Sequence, residues 1–336
     1  METDRFQLLK TWLHHEFPDQ HFDLSIASAD ASFRRYFRVQ LEDQSFIAMD
    51  APPQHEDCAP FIKVAQIFST AQVNVPKIHT QNLADGFLLL SDLGNTTYLH
   101  QLNANPSLAH ELYMEAIDAL ICIQQISQEN KLPNYDQALL QKELNLFPEW
   151  YLARHKQLTL NPQQSDQLQS VFSTILTNNL EQPKVFVHRD FHSRNLMVTA
   201  PNPGILDFQD AVYGPITYDL VSLFKDAYIE WEEEIILDWV IRYWEKARKA
   251  KLPVSTDFST FYRDFEWMGV QRHLKVLGIF ARLYHRDNKA GYLNDIPLVM
   301  RYLRKTCERY RELSLLKNLL DDIEDSSATN QVGYTF

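Results

Sequence analysis

Residues 185–207 hold short apolar runs that alternate with strongly polar turns, and this pattern constrains the fold more than any other stretch. The runs cover residues 185–187, 196–198 and 205–206. Short runs of apolar and β-branched residues broken by polar turns are typical of β-strands. The sequence therefore predicts strands whose ends carry the polar residues Asp190, Asn195 and Asp207.

The spacing of these polar residues indicates their chemistry. His-Arg-Asp with Asn five positions after the Asp is typical of the catalytic loop of phosphoryl-transfer enzymes, and Asp-Phe a dozen residues later is typical of their metal-binding segment. We expect Asp190 to orient the accepting hydroxyl and take its proton, a role worth about 10²–10⁴-fold in rate. Asn195 and Asp207 offer oxygen ligands that suit Mg²⁺ on the triphosphate of ATP.

His188 is expected to act as a scaffold for the loop backbone rather than as an acid or base. The alternative for the whole segment is a set of ordinary hydrogen-bonded turn residues. That alternative explains one Asp or one Asn in a loop, but it does not explain the complete ordered set between apolar runs.

Composition and charge exclude several classes of protein. The net charge of −12 and the lack of a long Lys/Arg block argue against general binding to nucleic acid or to a membrane surface. Cys58, Cys122 and Cys307 lie far apart, which predicts reduced thiols rather than a disulfide framework or a zinc site. The amino terminus carries acids where a secretory signal needs positive charge, and no apolar stretch approaches the roughly 18 residues that suggest a membrane span. We therefore expect a cytoplasmic protein with a small-molecule substrate, and the oligomeric state stays open.

Residues 1–91 are predicted to form a small lobe that covers a nucleotide. At 336 residues the chain is long enough for two lobes with separate cores. Helical or strand-like spacing of apolar residues occurs in residues 5–17, 33–50, 58–70 and 86–90. We place the adenine-binding hinge at the end of the last run, with Leu90 and Asp92 as nucleotide contacts. A plain strand followed by a turn is the alternative.

The turn at residues 28–32 lies where kinase-like folds put a phosphate-covering loop, but it contains no glycine. Backbone N–H groups and the hydroxyls of Ser28 and Ser32 are expected to bind phosphate, because binding needs donors and close approach rather than glycine itself. The turn of an ordinary hairpin is the alternative.

Residues 46–49 depart from the kinase pattern, because Phe-Ile-Ala-Met stands where a Val-Ala-Ile-Lys strand would supply a phosphate-binding lysine. Arg34, Arg35 and Lys63 are candidates for the missing cation, and Arg34 is our predicted nucleotide contact. Alternatively, metal and backbone hold the phosphates alone. Loss of catalysis is a further alternative, against which the intact catalytic and metal-binding residues argue.

Residues 92–336 are predicted to form a larger lobe that contains the catalytic loop, the metal site and the substrate pocket. Apart from the strands near the catalytic loop, this region is expected to be mostly helical. Apolar residues with helical spacing occur in residues 112–123, 168–176, 215–228, 232–249, 258–284 and 297–320.

Six segments, residues 30–38, 49–53, 146–150, 188–195, 206–211 and 271–283, span almost the whole chain and carry a resemblance. On these segments the chain resembles the aminoglycoside phosphotransferase-like superfamily of small-molecule kinases, and most closely its bacterial anomeric N-acetylmuramate/N-acetylglucosamine kinases. The resemblance implies an α+β, two-lobed, protein-kinase-like fold, with a small β-rich N-lobe, a larger mostly helical C-lobe and ATP at the hinge. It also implies that the product is the α-1-phosphate of an amino sugar, formed in cell-wall recycling.

Candidate substrate contacts follow from the chemistry of such a sugar. The lactyl carboxylate of N-acetylmuramate favours a cation in the pocket, and Arg272 lies on a basic helical face that suits it. Arg194, in the catalytic loop, is expected to offset charge on the transferred group. Glu149 and Asp210 are candidates for hydrogen bonds to sugar hydroxyls. The alternatives are a solvated basic surface for the arginines and structural ion pairs for the acids.

Two other functions fit part of the pattern. A kinase for another small alcohol, such as choline or an aminoglycoside, would keep the same catalytic loop. A choline-type site would need an aromatic box or acids, and the tryptophans of this chain do not exclude one. A catalytically silent nucleotide-binding module would explain the missing strand lysine.

Overall fold

The structure, a computed structural model, describes residues 2–29 and 33–331, apart from the side chains of residues 2–3, 28–29 and 325–331. An antiparallel sheet with two helices forms the first part of the described chain, and helices dominate the rest. This arrangement confirms the predicted α+β class.

Five antiparallel strands in the order β1-β2-β3-β5-β4 make up the sheet. The strands are β1 (Asp23–Ala29), β2 (Arg35–Gln40), β3 (Ser45–Asp50), β4 (Ile78–Asn82) and β5 (Phe87–Ser91), and the two helices are α1 (Glu2–Glu16) and α2 (Ala59–Thr70). The register sets Ile47 of β3 opposite Arg38 of β2 and Leu90 of β5.

Alternating side chains give the sheet two apolar faces, and one helix covers each. Leu9 and Leu13 of α1 pack with Val39 and other sheet residues on one face. Phe61 and Phe68 of α2 belong to the larger core on the other face. The amphipathic helices predicted near residues 5–17 and 58–70 are therefore confirmed.

Asp50, at the end of β3, is fully buried, and its carboxylate would be costly without counter-charges. Arg35 of β2 donates to one carboxylate oxygen at 2.5 Å, and Arg5 of α1 donates to the other. Helix α1 is thus joined to the sheet by an ion pair as well as by apolar packing.

The remainder of the chain contains helices and short two-stranded pairs. The helices are α3 (Tyr98–Ala104), α4 (Ala109–Gln125), α5 (Gln137–Leu144), a π-helix (Phe147–His155), α6 (Pro162–Glu181), α7 (Tyr218–Phe224), α8 (Glu233–Lys249), α9 (Phe258–Asp287), α10 (Ile296–Arg309) and α11 (Ser314–Gln331). The strands are β6 (Lys184–Val187), which pairs with β9 (Val212–Pro215), and β7 (Leu196–Met197), which pairs with β8 (Gly204–Ile205).

Helix α9 is 30 residues long and buried along most of its length. Its start is capped by the side chain of Asp257, which accepts the N–H of Thr260, and it ends at Asn288 in the left-handed conformation. At Gly278 the helix closely approaches the residue before the π-helix, because an added Cβ would lie 2.4 Å from the carbonyl carbon of Leu146. Glycine at this position therefore allows the close contact between α9 and the π-helix.

The structure confirms the predicted helical regions, with some differences in detail. The region predicted at residues 297–320 contains two helices, because Tyr310 takes an extended conformation between α10 and the turn before α11. The sequence patterns do not predict the π-helix or β1. Strand β1 lies at the edge of the sheet, and its Ile26 is 75% exposed, so burial imposes little apolar alternation on it.

Cys58, Cys122 and Cys307 all carry free thiols, as predicted. Within the described residues, every helix is too short or too polar to cross a lipid bilayer.

Candidate active site

The loop between β6 and β7 carries Asp190, and the buried side chain of Asp219 hydrogen-bonds to the backbone of this loop. Asp219 of α7 accepts the backbone N–H of His188 at 2.7 Å and that of Arg189 at 3.0 Å. Arg189 has a φ of 78°, a left-handed conformation that costs a residue with a side chain on the order of 1–2 kcal/mol. The two hydrogen bonds to Asp219 stabilise this turn and fix the backbone immediately before Asp190.

His188 is fully buried and joins the two segments of the site. Its Nδ1 accepts the N–H of Asp190 at 3.2 Å, and its Nε2 lies 2.9 Å from the carbonyl oxygen of Leu206. Burial lowers the pKa of His188 to about 4, so the ring is neutral at pH 7 and carries its proton on Nε2. A neutral ring that bridges the backbone of these two segments fits the predicted role of His188 as a scaffold for the loop.

Asn195 and Asp207 face each other across the site. Nδ2 of Asn195 donates to the carbonyl oxygen of Asp190 at 3.0 Å and lies 3.4 Å from Oδ2 of Asp207. Asp207 has a φ of 61°, an uncommon backbone conformation that clusters at functional sites, and its Oδ1 accepts Nε2 of Gln209 at 2.7 Å. The predicted base and the two predicted metal ligands therefore belong to one hydrogen-bonded unit.

The donor set of this unit suits a magnesium ion that is shared with phosphate. Nδ2 of Asn195 is committed to oxygen acceptors, which leaves its carbonyl oxygen as the ligand beside the carboxylate of Asp207. The described residues contain no cluster of three His, Cys, Asp or Glu side chains that would hold a metal unaided. Mg²⁺ usually takes one or two carboxylates and fills its remaining positions with phosphate and water.

The charge of Asp190 is stabilised by cations that come from another helix and from its own loop. Burial by itself raises the pKa of Asp190, but the positive charges of Lys275, Arg272 and Arg189 outweigh burial and hold this pKa at about 2. Asp190 is therefore a carboxylate at neutral pH and accepts hydrogen bonds. Burial lowers the pKa of His192, so the cation that the loop itself offers to a substrate is Arg194.

A buried network around Glu143 lies next to the catalytic loop, and the sequence analysis does not identify it. Glu143 of α5 accepts hydrogen bonds from Arg189 at 2.5 Å, from Gln271 at 3.1 Å and from the hydroxyl of Tyr135. It also forms an ion pair with Lys275 of α9, whose Nζ lies 3.2 Å from Oε1 of Glu143. Burial alone raises the pKa of Glu143, but the two cations bring it below its ordinary value. Glu143 therefore balances two positive charges that lie close to Asp190.

Arg272 and Arg194 occupy different environments. Arg272 is buried, and its Nε donates to Ser222 at 2.7 Å, whereas its Nη1 is buried without a hydrogen-bond partner among the described residues. Arg194 is exposed; its guanidinium lies 3.6 Å from the centre of the Tyr228 ring and 4.0 Å from Asp295. Arg272 thus has a hydrogen-bond donor without a described partner, and the charge of Arg194 is only weakly paired with Asp295.

A cavity of about 310 Å³ lies between the five-stranded sheet and the segments that carry Asn195 and Asp207. Its lining residues are Ala27, Tyr36, Arg38, Ile47, Phe61, Pro76, Leu90, Ser91, Asp92, Leu93, Gly94, Asn95, Thr97, Arg194, Asn195, Met197, Leu206, Asp207 and Phe208. Both predicted metal ligands and both predicted hinge residues therefore line one cavity. A larger open groove of about 990 Å³ between α2 and β4 contains none of the predicted site residues.

Asp92, the predicted hinge acid, is held by Arg38, which no local sequence pattern marks. Arg38 of β2 donates to both carboxylate oxygens of Asp92, at 2.6 and 3.0 Å, and to the carbonyl oxygen of Gly94 at 2.9 Å. Burial raises the pKa of Asp92, but these hydrogen bonds lower it by more. The carboxylate of Asp92 and the carbonyl of Gly94 therefore hold Arg38 together, while Leu90 presents apolar surface to the cavity.

The remaining predicted contact residues lie outside the hydrogen-bonded unit of Asp190, Asn195 and Asp207. Arg34 lies 3.0 Å from Glu56, and Asp210 is exposed, with its backbone carbonyl 3.4 Å from Arg189. Glu149 is exposed on the π-helix and does not line the cavity. Predictions about Ser28 and Ser32 concern atoms outside the described residues, because Ser32 and the side chain of Ser28 are not described.

The fold and the site define a phosphotransferase. Residues 23–252 match the family model described as the phosphotransferase enzyme family, and the chain belongs to this family. Over 98% of its length and 98% of the relative, it is 51% identical to the N-acetylmuramate/N-acetylglucosamine kinase of Neisseria meningitidis. It is 47% identical to the kinase of the same name from Pseudomonas putida, over 95% of this chain and 97% of the relative.

Solved structures show the same fold at low sequence identity. An aminoglycoside phosphotransferase with bound ADP has a TM-score of 0.58 at 13% identity, covering 89% of this chain and 98% of that chain. A choline kinase from Streptococcus pneumoniae has a TM-score of 0.62 at 10% identity, covering 89% and 99%. These findings confirm the protein-kinase-like fold, and together with the family and its named relatives they confirm a small-molecule kinase.

Proposed function

We propose that this protein transfers the γ-phosphoryl group of ATP, with Mg²⁺, to the anomeric hydroxyl of an amino sugar. The substrate is N-acetylmuramate, N-acetylglucosamine or both, the product is the sugar α-1-phosphate, and the reaction serves cell-wall recycling. The observation that carries the proposal is the hydrogen-bonded unit of Asp190, Asn195 and Asp207, in a chain whose near-full-length relatives bear the name of this kinase.

Asp190 is proposed as the catalytic carboxylate. An ionised Asp190 can hold the hydrogen of the accepting hydroxyl and take its proton as the bond to phosphorus forms. An anomeric hydroxyl is more acidic than an ordinary alcohol, so a base with a pKa of about 2 has an easier task there. Orientation of the hydroxyl, rather than strong basicity, is therefore the main contribution that we assign to Asp190.

Asn195 and Asp207 are proposed as the protein ligands of Mg²⁺, and Leu90 as apolar surface for the adenine. When bound, Mg²⁺ neutralises charge on the phosphate oxygens. Arg34 is proposed as a phosphate contact, with Ser28 and Ser32 as further donors from the neighbouring turn. We also propose that the nucleotide-covering lobe ends at residue 91, where β5 ends, and that residues 92–336 form the other lobe.

The sugar is proposed to bind beside Asp190 on the side of α9. Nη1 of Arg272 is buried without a described partner, and the charge of Arg272 acts on Asp190, so this arginine suits the lactyl carboxylate of N-acetylmuramate. Arg194 is proposed to bind the transferred group or the sugar at the cavity entrance. Asp210 and Glu149 are proposed hydrogen-bond partners of sugar hydroxyls. Glu149 is exposed on the π-helix, so the sugar must extend as far as that helix to contact it.

Phosphorus NMR of the reaction products tests this function. Incubation with MgATP and either sugar is expected to give a sugar 1-phosphate, and Asp190→Asn serves as the control protein. If neither sugar yields a 1-phosphate, the substrate assignment is wrong. A panel with choline and an aminoglycoside then tests the other small alcohols, and thermal stabilisation by MgATP without turnover would indicate a silent nucleotide-binding module.

A further inference from the structure

Strand β3 supplies no charge to the cavity. In protein kinases a lysine of the third strand contacts the phosphates and pairs with a glutamate of the following helix. Alternation puts Ile47 and Met49 on the same face of β3. Ile47 lines the cavity and Met49 is fully buried in the apolar core, so a cation for the phosphates has to come from another element.

Of the three candidate cations, Arg34 occupies the most suitable place. Arg35 donates to the buried carboxylate of Asp50 at 2.5 Å, and Lys63 is exposed on α2. The guanidinium of Arg34 lies 3.0 Å from Oε2 of Glu56, and the two side chains are only 11% and 14% exposed. A largely buried ion pair of this kind holds its partners in one geometry, which an exposed lysine does not.

Glu56 connects this pair to the helix that follows β3. It lies in the turn before α2, and its other oxygen accepts the backbone N–H of Phe33 at 3.3 Å. Phe61 of α2 packs 4.8 Å from the ring of Phe208, the residue after Asp207. One short stretch of chain therefore contacts both the arginine and the segment of the metal site.

The electrostatic surroundings of Arg34 point in the same direction. Burial opposes its charge, but Tyr36, Glu56, Asp207 and Asp210 together raise its pKa. Arg34 therefore lies within the electrostatic field of Asp207, one of the two proposed metal ligands.

We propose that the Arg34–Glu56 ion pair replaces the strand lysine and its helix glutamate. Arg34 contacts the phosphates of the nucleotide, and Glu56 is a positioning residue that fixes the guanidinium of Arg34. This inference rests on the nucleotide site of the proposed function, but not on the identity of the sugar.

Calorimetric titration with MgATP, MgADP and adenosine tests the pair. Glu56→Gln is expected to weaken MgATP and MgADP about tenfold, the loss of one charge-assisted contact, and to change adenosine by less than about twofold. Asp57→Asn is the matched control. It removes a carboxylate from the same turn, one that caps the N–H of Ala59 at 2.8 Å, and it should leave all three affinities unchanged. Equal weakening of all three ligands by Glu56→Gln, or no weakening, overturns the proposal.

A double-mutant cycle shows whether Glu56 acts through Arg34. The variant with both Arg34→Gln and Glu56→Gln is expected to bind MgADP no more weakly than Arg34→Gln alone, and additive losses contradict the positioning role. If Glu56→Gln does not fold, Glu56→Asp keeps the charge on a shorter side chain and should show the same selective loss, only smaller. These titrations contain no sugar, so their outcome does not depend on the outcome of the product assay.

Discussion

Nε2 of His188 lies 2.9 Å from the carbonyl oxygen of Leu206, so one buried imidazole joins the loop of Asp190 to the segment of Asp207. Both ring nitrogens are used, one as donor and one as acceptor, and this arrangement requires the neutral ring. The stability of the protein should therefore respond to acid through this residue.

Burial holds the pKa of His188 at about 4 in the folded protein, against an ordinary value of 6.5. As the pH falls, the unfolded chain binds a proton first, so the stability from this group is complete above pH 6.5 and is lost between pH 6.5 and 4. The wild type should lose about 2–4 kcal/mol more than His188→Gln across this range, measured by urea unfolding from pH 7 to 4. Parallel pH profiles for the two proteins would contradict a buried neutral His188.

Asp190→Asn should separate chemistry from binding. The amide cannot accept the substrate proton as a carboxylate does, so kcat should fall about 10²–10⁴-fold. Nucleotide affinity should stay within about twofold, because the proposed nucleotide contacts lie elsewhere. Steady-state kinetics and calorimetric titration measure the two effects. A variant that keeps most of its kcat would remove Asp190 from the chemistry.

Asp207→Ala should weaken nucleotide binding only when magnesium is present. The variant loses one of two proposed Mg²⁺ ligands, so MgADP should bind at least about tenfold more weakly. Binding of ADP in EDTA should change little. Equal losses with and without Mg²⁺ would point to a structural role for this carboxylate.

Glu143→Gln should cost far more stability than the loss of a surface acid. Arg189 and Lys275 would remain buried with an uncompensated charge, a change that typically costs about 3–5 kcal/mol. Asp238→Asn is the matched control, because Asp238 pairs with Arg242 on the exposed side of α8, where solvent screens the charges, and this variant should lose little stability. Chemical denaturation at pH 7 gives both values, and similar losses would mean that the network contributes little.

The short-range part of the site could be predicted from sequence because its chemistry depends on spacing. Only 18 residues of sequence contain Asp190, Asn195 and Asp207, and the short strands between them appear as local apolar runs. The longer amphipathic helices could also be predicted, since their apolar spacing reports burial directly. The edge strand β1 was not, because half-exposed side chains leave no clear alternation.

Long-range partners could not be predicted, because nothing local marks them. Arg38 looks like any strand arginine, yet it holds Asp92 across 54 positions of sequence. Glu143 looks like a helix-surface acid, and it becomes buried only when α5 meets α9 and the catalytic loop. Asp219 could have been suspected from an acid within an apolar helix, which needs a partner when it is buried.

Phe208 follows Asp207 in the chain, but its ring packs among side chains of α2, 4.8 Å from Phe61 and 6.0 Å from Phe68. Helix α2 covers the sheet, whereas Asp207 belongs to the catalytic segments on the other side of the cavity. A movement that widens the cavity must therefore either break these ring contacts or displace Asp207 with them. If Asp207 binds Mg²⁺ as proposed, opening that preserves these ring contacts carries the metal ligand along with α2, and nucleotide and metal leave in a single event.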